Sequence, residues 1–246
     1  MRRLTCLLVL ASLAVVAAGC AGADANRAQA LLRQAQAAQQ SIRSEGFVMQ
    51  LSFDADGRSG GFAMQGGAQL KGANAGDFYL TGQPTGALGA QAARFDLTVV
   101  RRGSTITVRT PAGTRTMPMP QAQSRLGMSV QDPTRFLDLA RYVKSVSVGS
   151  TTLDGAPADR IVGKIDTSKL VGSLGSLDKN ALAQQLLHRL GVHFGDIDTS
   201  LFVARQTHLV RVMFVDMEIG AGGRKVHIHL SIVLKDVNRP VDFPTP

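Results

Sequence analysis

Aromatic side chains are scarce in this sequence of 246 residues. It has no Trp and two Tyr, and aromatic residues account for 5% of the chain. Sites that hold a sugar ring or a quaternary ammonium group use aromatic faces as platforms or cages. We therefore do not expect a carbohydrate-binding platform or an aromatic cage.

Cysteines and long apolar runs are also few. The two cysteines are Cys6 and Cys20, and the most apolar stretch, residues 4–16, follows Arg2 and Arg3. A helix that spans a bilayer needs about 20 apolar residues, so this stretch is too short, and no later segment is long enough. A basic start followed by a short apolar stretch is typical of a secretory signal peptide.

Cys20 directly follows the small residues Ala17-Ala18-Gly19. An ordinary signal peptide needs small residues before its cleavage site but no cysteine after it. The arrangement resembles the lipobox of bacterial lipoproteins, whose cysteine becomes the first residue and is acylated on sulfur. The resemblance implies a signal peptide at residues 1–19, and palmitate and diacylglycerol as the groups attached at Cys20. The alternative is a plain secretory peptide followed by a chance cysteine.

Cleavage before Cys20 would remove Cys6 and leave one cysteine, so no intramolecular disulfide could form. The mature chain is long enough to bury one sizeable core. Residues 20–26 predict a lipidated tether of small residues, which spans at most about 25 Å. We expect the protein at the cell membrane, lipid-anchored on the extracytoplasmic face.

The charge is strongly basic, with a formal net charge of +9. A basic exported protein can meet anionic lipid headgroups. Nucleic acid is not an expected partner, because export separates the two and no basic motif interleaved with aromatic residues is present. The alternative is an arginine-rich solvated surface that has no specific partner.

Apolar residues at helical spacing predict three helices. The first covers residues 27–44, with Leu31, Ala35 and Ile42 on its apolar face and Gly46 as its stop signal. The second begins at Asp132-Pro133 and includes Val143, and the third covers residues 178–190. Because the first helix is rich in Ala, its apolar face is shallow.

Two-residue alternation predicts many strands between and after these helices. It extends from residue 47 to 117, resumes at 146–165, and returns at 200–205, 208–219 and 225–236. This order predicts an α+β fold with one large antiparallel sheet. A large twisted sheet tends to curl, and three short helices leave two alternatives for its apolar face: an ordinary core or a cavity that binds apolar ligands.

Three stretches carry a resemblance to a known family: DPTRFLDLARYVKSV, LDGAPADRIVGKIDTSKL and LKDVNRPVDFPTP. In order and spacing they resemble the LolA/LolB-like lipoprotein fold, and within it the LppX/LprG group of mycobacterial lipoproteins. The resemblance implies a half-open β-barrel whose concave face is covered by about three helices. It also implies a single lipid-binding domain over residues 27–246.

What the resemblance implies about function is binding without catalysis. The expected ligand is a lipid or lipoglycan, carried or presented in the cell envelope by a monomer that requires no cofactor or metal. An envelope transport protein is a further expected partner. The alternative is a sensor or scaffold that binds a protein partner. The cavity candidates are apolar strand residues: Phe47, Met49, Leu51, Phe53, Phe62, Met64, Leu97, Val99, Ile228, Leu230 and Ile232.

His227 and His229 are the one histidine pair with a suggestive spacing, because alternate residues of a strand share a face. A GAGG turn that places Ile219 opposite Arg224 predicts two cross-strand pairs: Asp216 with His227, and Glu218 with Lys225. Two histidines and two carboxylates on one face could hold a metal. The interpretation we favour is charge pairing on a solvated face, so no catalytic residue is expected.

Overall fold

The computed structural model describes residues 25–86, 96–121, 143–165, 193–221 and 224–244. The predicted signal peptide, Cys20, most of the second predicted helix and all of the third lie outside these residues.

The described residues form one sheet of eleven strands, in which every neighbouring pair is antiparallel. Its order is β6-β5-β4-β3-β2-β1-β11-β10-β9-β8-β7. The strands are β1 (Ser44–Ala55), β2 (Arg58–Gln69), β3 (Phe78–Gly86), β4 (Leu97–Arg102), β5 (Thr105–Thr110), β6 (Gly113–Pro118), β7 (Val143–Leu153), β8 (Ala156–Ile165), β9 (His193–Ala204), β10 (Val210–Ala221) and β11 (Arg224–Lys235).

The predicted strands are all present, but two begin earlier than expected. β7 begins at Val143, which pairs with Ile165 and was wrongly assigned to the second helix. β9 begins at His193 rather than at residue 200. Its extra residues keep the strand alternation, since Ile197 and Thr199 are buried while Asp198 between them is exposed. The sequence alone does not reveal that these residues form a strand, because one of the two buried side chains is a polar threonine.

A helix, α1, covers residues 25–41, and residues 119–121 are also helical. α1 ends three residues before the predicted end, because Ser44 already pairs with Gln69 in the sheet. Ala28 and Ala35 are buried, with 0% and 1% of their surface exposed. Small side chains on this face let α1 lie close to the strands. None of the described helices is long and apolar enough to cross a membrane.

α1 crosses the strands instead of running along them. Arg27, near its start, forms an ion pair of 3.4 Å with Asp159 of β8, and its end leads directly into β1. A helix of this length is about 25 Å long, and the four strand spacings from β8 to β1 add up to about 19 Å. One helix therefore reaches across β8, β9, β10 and β11. We call the face under α1 the inner face and the opposite face the outer face.

Asp159 is a central contact in attaching α1 to the sheet. Its side chain is 8% exposed and accepts hydrogen bonds from Arg205 at 2.9 and 3.1 Å as well as from Arg27 at 3.4 Å. A buried carboxylate is costly unless it is paired and hydrogen-bonded. Two arginines meet that requirement and also fix the start of α1 beside the turn between β9 and β10.

The C-terminal segment, residues 236–244, folds back over the outer face. The side chain of Asn238 accepts a hydrogen bond of 2.7 Å from the backbone N–H of Arg43. Farther on, Phe243 packs edge-on against Tyr79 of β3, with ring centroids 5.9 Å apart. Burial, with the negative charges of Asp236 and Asp242, raises the pKa of Tyr79 above its ordinary value of 10. The segment thus links the middle of the sheet to β3.

The architecture is therefore mostly β, one antiparallel sheet with α1 on its inner face. The large antiparallel sheet is confirmed. The half-open barrel and the cover of three helices remain predictions.

Candidate functional site

The pairing of the strands places all the cavity candidates on the inner face. Across β2, β1 and β11, three rows run in register: Met64, Met49 and Ile232; Phe62, Leu51 and Leu230; and Gly60, Phe53 and Ile228. Phe47 lies in the next row toward the start of β1, beside Leu234 and Gly66. Leu97 and Val99 of β4 extend the same face beyond β3, because Leu97 pairs with Gly82, and Gly82 pairs with Met64.

Burial divides this face into two parts. Under α1 lies a core cluster in which Ile161 is 0% exposed and Leu201 and Met213 are each 1% exposed. Ala35 of α1 belongs to it, and Ile232 lies at its edge toward β1. Gln39 of α1 also donates a hydrogen bond of 3.4 Å to the carbonyl of Val210. α1 therefore seals the part of the inner face at the end where β10 begins.

The other part lies over β1, β2 and β11, toward the ends remote from α1. Its residues are half-buried or, in the case of Leu97, 37% exposed, and they lie outside the two buried clusters of the described residues. We call this set the apolar floor: Leu51, Phe53, Phe62, Met64, Leu97 and Ile228. An apolar surface that is not part of the buried core can bind an apolar ligand.

Of the eleven candidates, Phe47 and Ile232 are buried like ordinary core residues, with 7% and 5% exposed. Val99 packs beside a second cluster formed by residues such as Phe78 and Ile106. Met49 and Leu230 lie at the border of the core under α1.

On the outer face, the register of the β10–β11 hairpin differs from the prediction. Ile219 lies opposite Val226 rather than Arg224, so His229 is opposite Asp216 and His227 is opposite Glu218. Pairing extends to Ala221 and Arg224, which leaves only two residues between the strands. The predicted four-residue GAGG turn is therefore wrong.

Of the two predicted charge pairs, Glu218 with Lys225 is present, whereas Asp216 is paired with His229 and not with His227. Asp216 Oδ1 and His229 Nδ1 are 2.5 Å apart, and Lys225 Nζ and Glu218 Oε1 are 2.9 Å apart. His227 Nε2 is 3.6 Å from Glu218 Oε2. Asp216, Glu218, His227 and His229 border an open depression of about 360 Å³. Within the described ranges, no group of three His, Cys, Asp or Glu residues could hold a metal ion.

A row of aromatic contacts on the outer face was missed from the sequence. The Arg160 guanidinium lies 5.7 Å from the ring of Phe202. Phe202 packs edge-on against Phe214 at 5.8 Å, and Phe214 stacks on His229 at 5.9 Å. The signal was available: both phenylalanines stand at polar positions of the alternation, between buried neighbours. The row runs across the outer surface from β8 to β11.

Comparison with known proteins supports the fold. The sequence matches no model of a protein family and no curated protein. The chain is similar in structure to LprF from Mycobacterium bovis, with 14% identity and a TM-score of 0.51, over 90% of this chain and 97% of that one. It is also similar to the lipoprotein LppX of Mycobacterium tuberculosis, with 15% identity and a TM-score of 0.48, over 88% and 98%.

A third similar structure is a LolA superfamily protein from Nitrosomonas europaea, with 11% identity, a TM-score of 0.28, and 85% and 94% of the two chains covered. The predicted resemblance to the LppX/LprG group is confirmed as a likeness of fold by the match to LprF.

Proposed function

We propose that this protein is a membrane-anchored lipoprotein that binds the acyl chains of a lipid or lipoglycan and carries or presents them in the cell envelope. The observation that carries the proposal is the apolar floor, a set of inner-face side chains that lies beyond the core under α1. The fold shared with LprF supports it. In this proposal residues 27–246 form one lipid-binding domain.

The physical basis of binding is burial of methylene groups. Each one transferred from water to an apolar wall contributes roughly 0.8 kcal/mol. A ligand with two acyl chains is therefore held strongly without a charged anchor. Met64 suits such a wall, because a flexible thioether side chain adapts to chains of different shape.

The curl that would make a cavity of this face is also part of the proposal. β2 contains Gly60, Gly61, Gly66 and Gly67, and glycines in a strand mark bends or close backbone approach. The helices predicted between residue 132 and the start of β7, and over residues 178–190, would cover the apolar floor. This arrangement would leave a space bounded by strands below and helices above.

Filling the proposed cavity from its floor tests the function. We expect Leu51→Trp to weaken binding on the order of 10-fold, because the larger side chain takes the space of about two ligand methylenes. The matched control is Ser52→Trp, which places the same side chain on the exposed outer face of the same strand. Native mass spectrometry of the mature chain, before and after delipidation and incubation with phospholipid, measures occupancy.

Equal lipid occupancy in both variants, with unchanged thermal midpoints, would show that the floor does not bind acyl chains. A mature chain that carries and rebinds no lipid, yet crosslinks to one protein in membranes, would favour the sensor or scaffold alternative.

The anchor is tested separately at Cys20. We expect Cys20→Ser to move the protein from the membrane fraction to the soluble fraction and to abolish incorporation of labelled palmitate, since sulfur is the acylated atom. The matched control is Cys6→Ser, which makes the same change in the segment that cleavage removes and leaves acylation intact. Membrane retention of the Cys20→Ser protein after signal cleavage and a wash in high salt, which screens exposed charges, would contradict the proposal.

A further inference from the structure

The two ends of the sheet differ in how their exposed cations are grouped. We call the end at which β1 begins and β11 ends the lower rim, and the end at which β2 and β11 begin the upper rim. Three exposed cations gather at the middle of the lower rim: Arg43, Lys71 and Lys235. We call these three residues the basic corner.

The backbone holds the basic corner together. Arg43 lies between α1 and β1, and its carbonyl accepts a hydrogen bond of 3.1 Å from the N–H of Lys71. The last residue of β11, Lys235, pairs with Gly46 of β1. Three segments far apart in sequence thus bring their cations to one place, where the ends of β11 and β2 flank the start of β1.

The positive charge of the basic corner is not neutralised within the described ranges. None of the ion pairs between described residues involves Arg43, Lys71 or Lys235. The exposed carboxylate beside them, Asp236, is paired with Arg239 at 3.4 Å. At the upper rim, Arg224 is paired with Asp56 at 3.5 Å and Lys225 with Glu218. The exposed upper-rim cations outside these pairs, Arg58, Arg109 and Arg115, are spread over β2, β5 and β6 instead of gathering at one place.

The start of α1 lies at the same rim. Arg27 is held against Asp159 near the beginning of β8, which is a lower-rim strand end. Six residues lie between Cys20 and Arg27, so the two are at most about 25 Å apart. An anchor at Cys20 would thus bring the lower rim, not the upper rim, toward the bilayer.

From this charge and this position, we infer that the basic corner is a docking surface for anionic phospholipid headgroups and orients the sheet with its lower rim on the membrane. The orientation goes beyond the proposed function and needs no acyl-chain cavity. Its consequence is that the apolar floor lies in the half of the molecule that faces away from the anchoring bilayer.

Vesicle binding by the mature chain from residue 21, which contains every described element, tests this without the acyl anchor. The probe is vesicles of equimolar phosphatidylglycerol and phosphatidylcholine, compared with phosphatidylcholine alone. Each cation near an anionic surface strengthens binding by about fivefold, so we expect Arg43→Gln, Lys71→Gln and Lys235→Gln together to weaken it on the order of 100-fold. High salt should have the same effect, because it screens exposed charges.

The matched control replaces three exposed upper-rim cations, as Arg58→Gln, Arg109→Gln and Arg115→Gln. It removes the same charge, and we expect at most a severalfold loss. Equal losses in the two triple variants, or wild-type binding that ignores phosphatidylglycerol, would overturn the inference. Circular dichroism checks that both variants are folded, and lipid occupancy by native mass spectrometry stays a separate readout of the cavity.

Discussion

We expect Ile161→Ala to lower the free energy of unfolding by about 3 kcal/mol, because large-to-small changes in a close-packed core cost between about 2 and 5 kcal/mol. Ile161 is 0% exposed and pairs with Leu201 of β9 and Val148 of β7. Ala35 of α1 belongs to the same cluster. The small alanines of α1 cannot move far enough to fill the space that a lost side chain leaves.

The neighbouring residue gives the control. Val162 is on the same strand but on the outer face, where it is 37% exposed. Val162→Ala should change the free energy of unfolding by less than about 0.5 kcal/mol, as surface substitutions generally do. Urea denaturation of both variants measures the difference. Similar losses would mean that α1 does not seal this part of the sheet.

We expect Gly66→Ala to be as damaging, at about 3 kcal/mol, although it adds one methyl group. A Cβ at this position would lie 2.4 Å from the carbonyl oxygen of Tyr79 and 2.5 Å from Cζ of Phe47. The first contact is with backbone, so the β2–β3 pairing itself has to move. Overpacking of a core usually costs between about 1 and 3 kcal/mol, and a backbone shift places this site at the upper end.

A second strand glycine separates crowding from the intrinsic effect of the substitution. A Cβ added to Gly149 of β7 would have nothing within 4 Å, and the residue has no positive φ. Gly149→Ala should leave stability unchanged or raise it by about 0.5 kcal/mol, since alanine restricts the unfolded chain. Thermal unfolding of the pair decides the matter: a Gly66→Ala protein as stable as the wild type would show that β2 and β3 are not closely packed there.

Alternation in the sequence predicts which side chains share a face, and here it does so well. Most apolar residues of β1 and β11 lie on the inner face, as expected, and the exceptions are Val48 and Val233, which pair with each other on the outer face. Alternation cannot determine the register between two paired strands, because a shift of two residues returns every side chain to its own face. That is the size of the error in the β10–β11 hairpin, where Ile219 pairs with Val226 instead of Arg224.

The division of the inner face could not be predicted from the sequence. Leu51 and Leu201 are equally apolar and equally well placed in their strands, yet Leu201 is 1% exposed and Leu51 is half-buried. The difference arises from where α1 crosses, and that is fixed by Asp159 and its two arginines. A contact between residues 132 positions apart has no local signature.

The position of β11 sets the order in which this sheet can be assembled. β1 to β6 form one continuous half and β7 to β10 form the other, and β11 alone joins them by pairing with both β1 and β10. β11 follows every other described strand in the chain. Because a polypeptide is synthesised from its N-terminus, the growing chain holds two half-sheets with unpaired edges until residues 224–235 have been made. Unpaired strand edges promote aggregation. A chain that ends before residue 224 would therefore lose both β11 and the pairing that joins the two half-sheets.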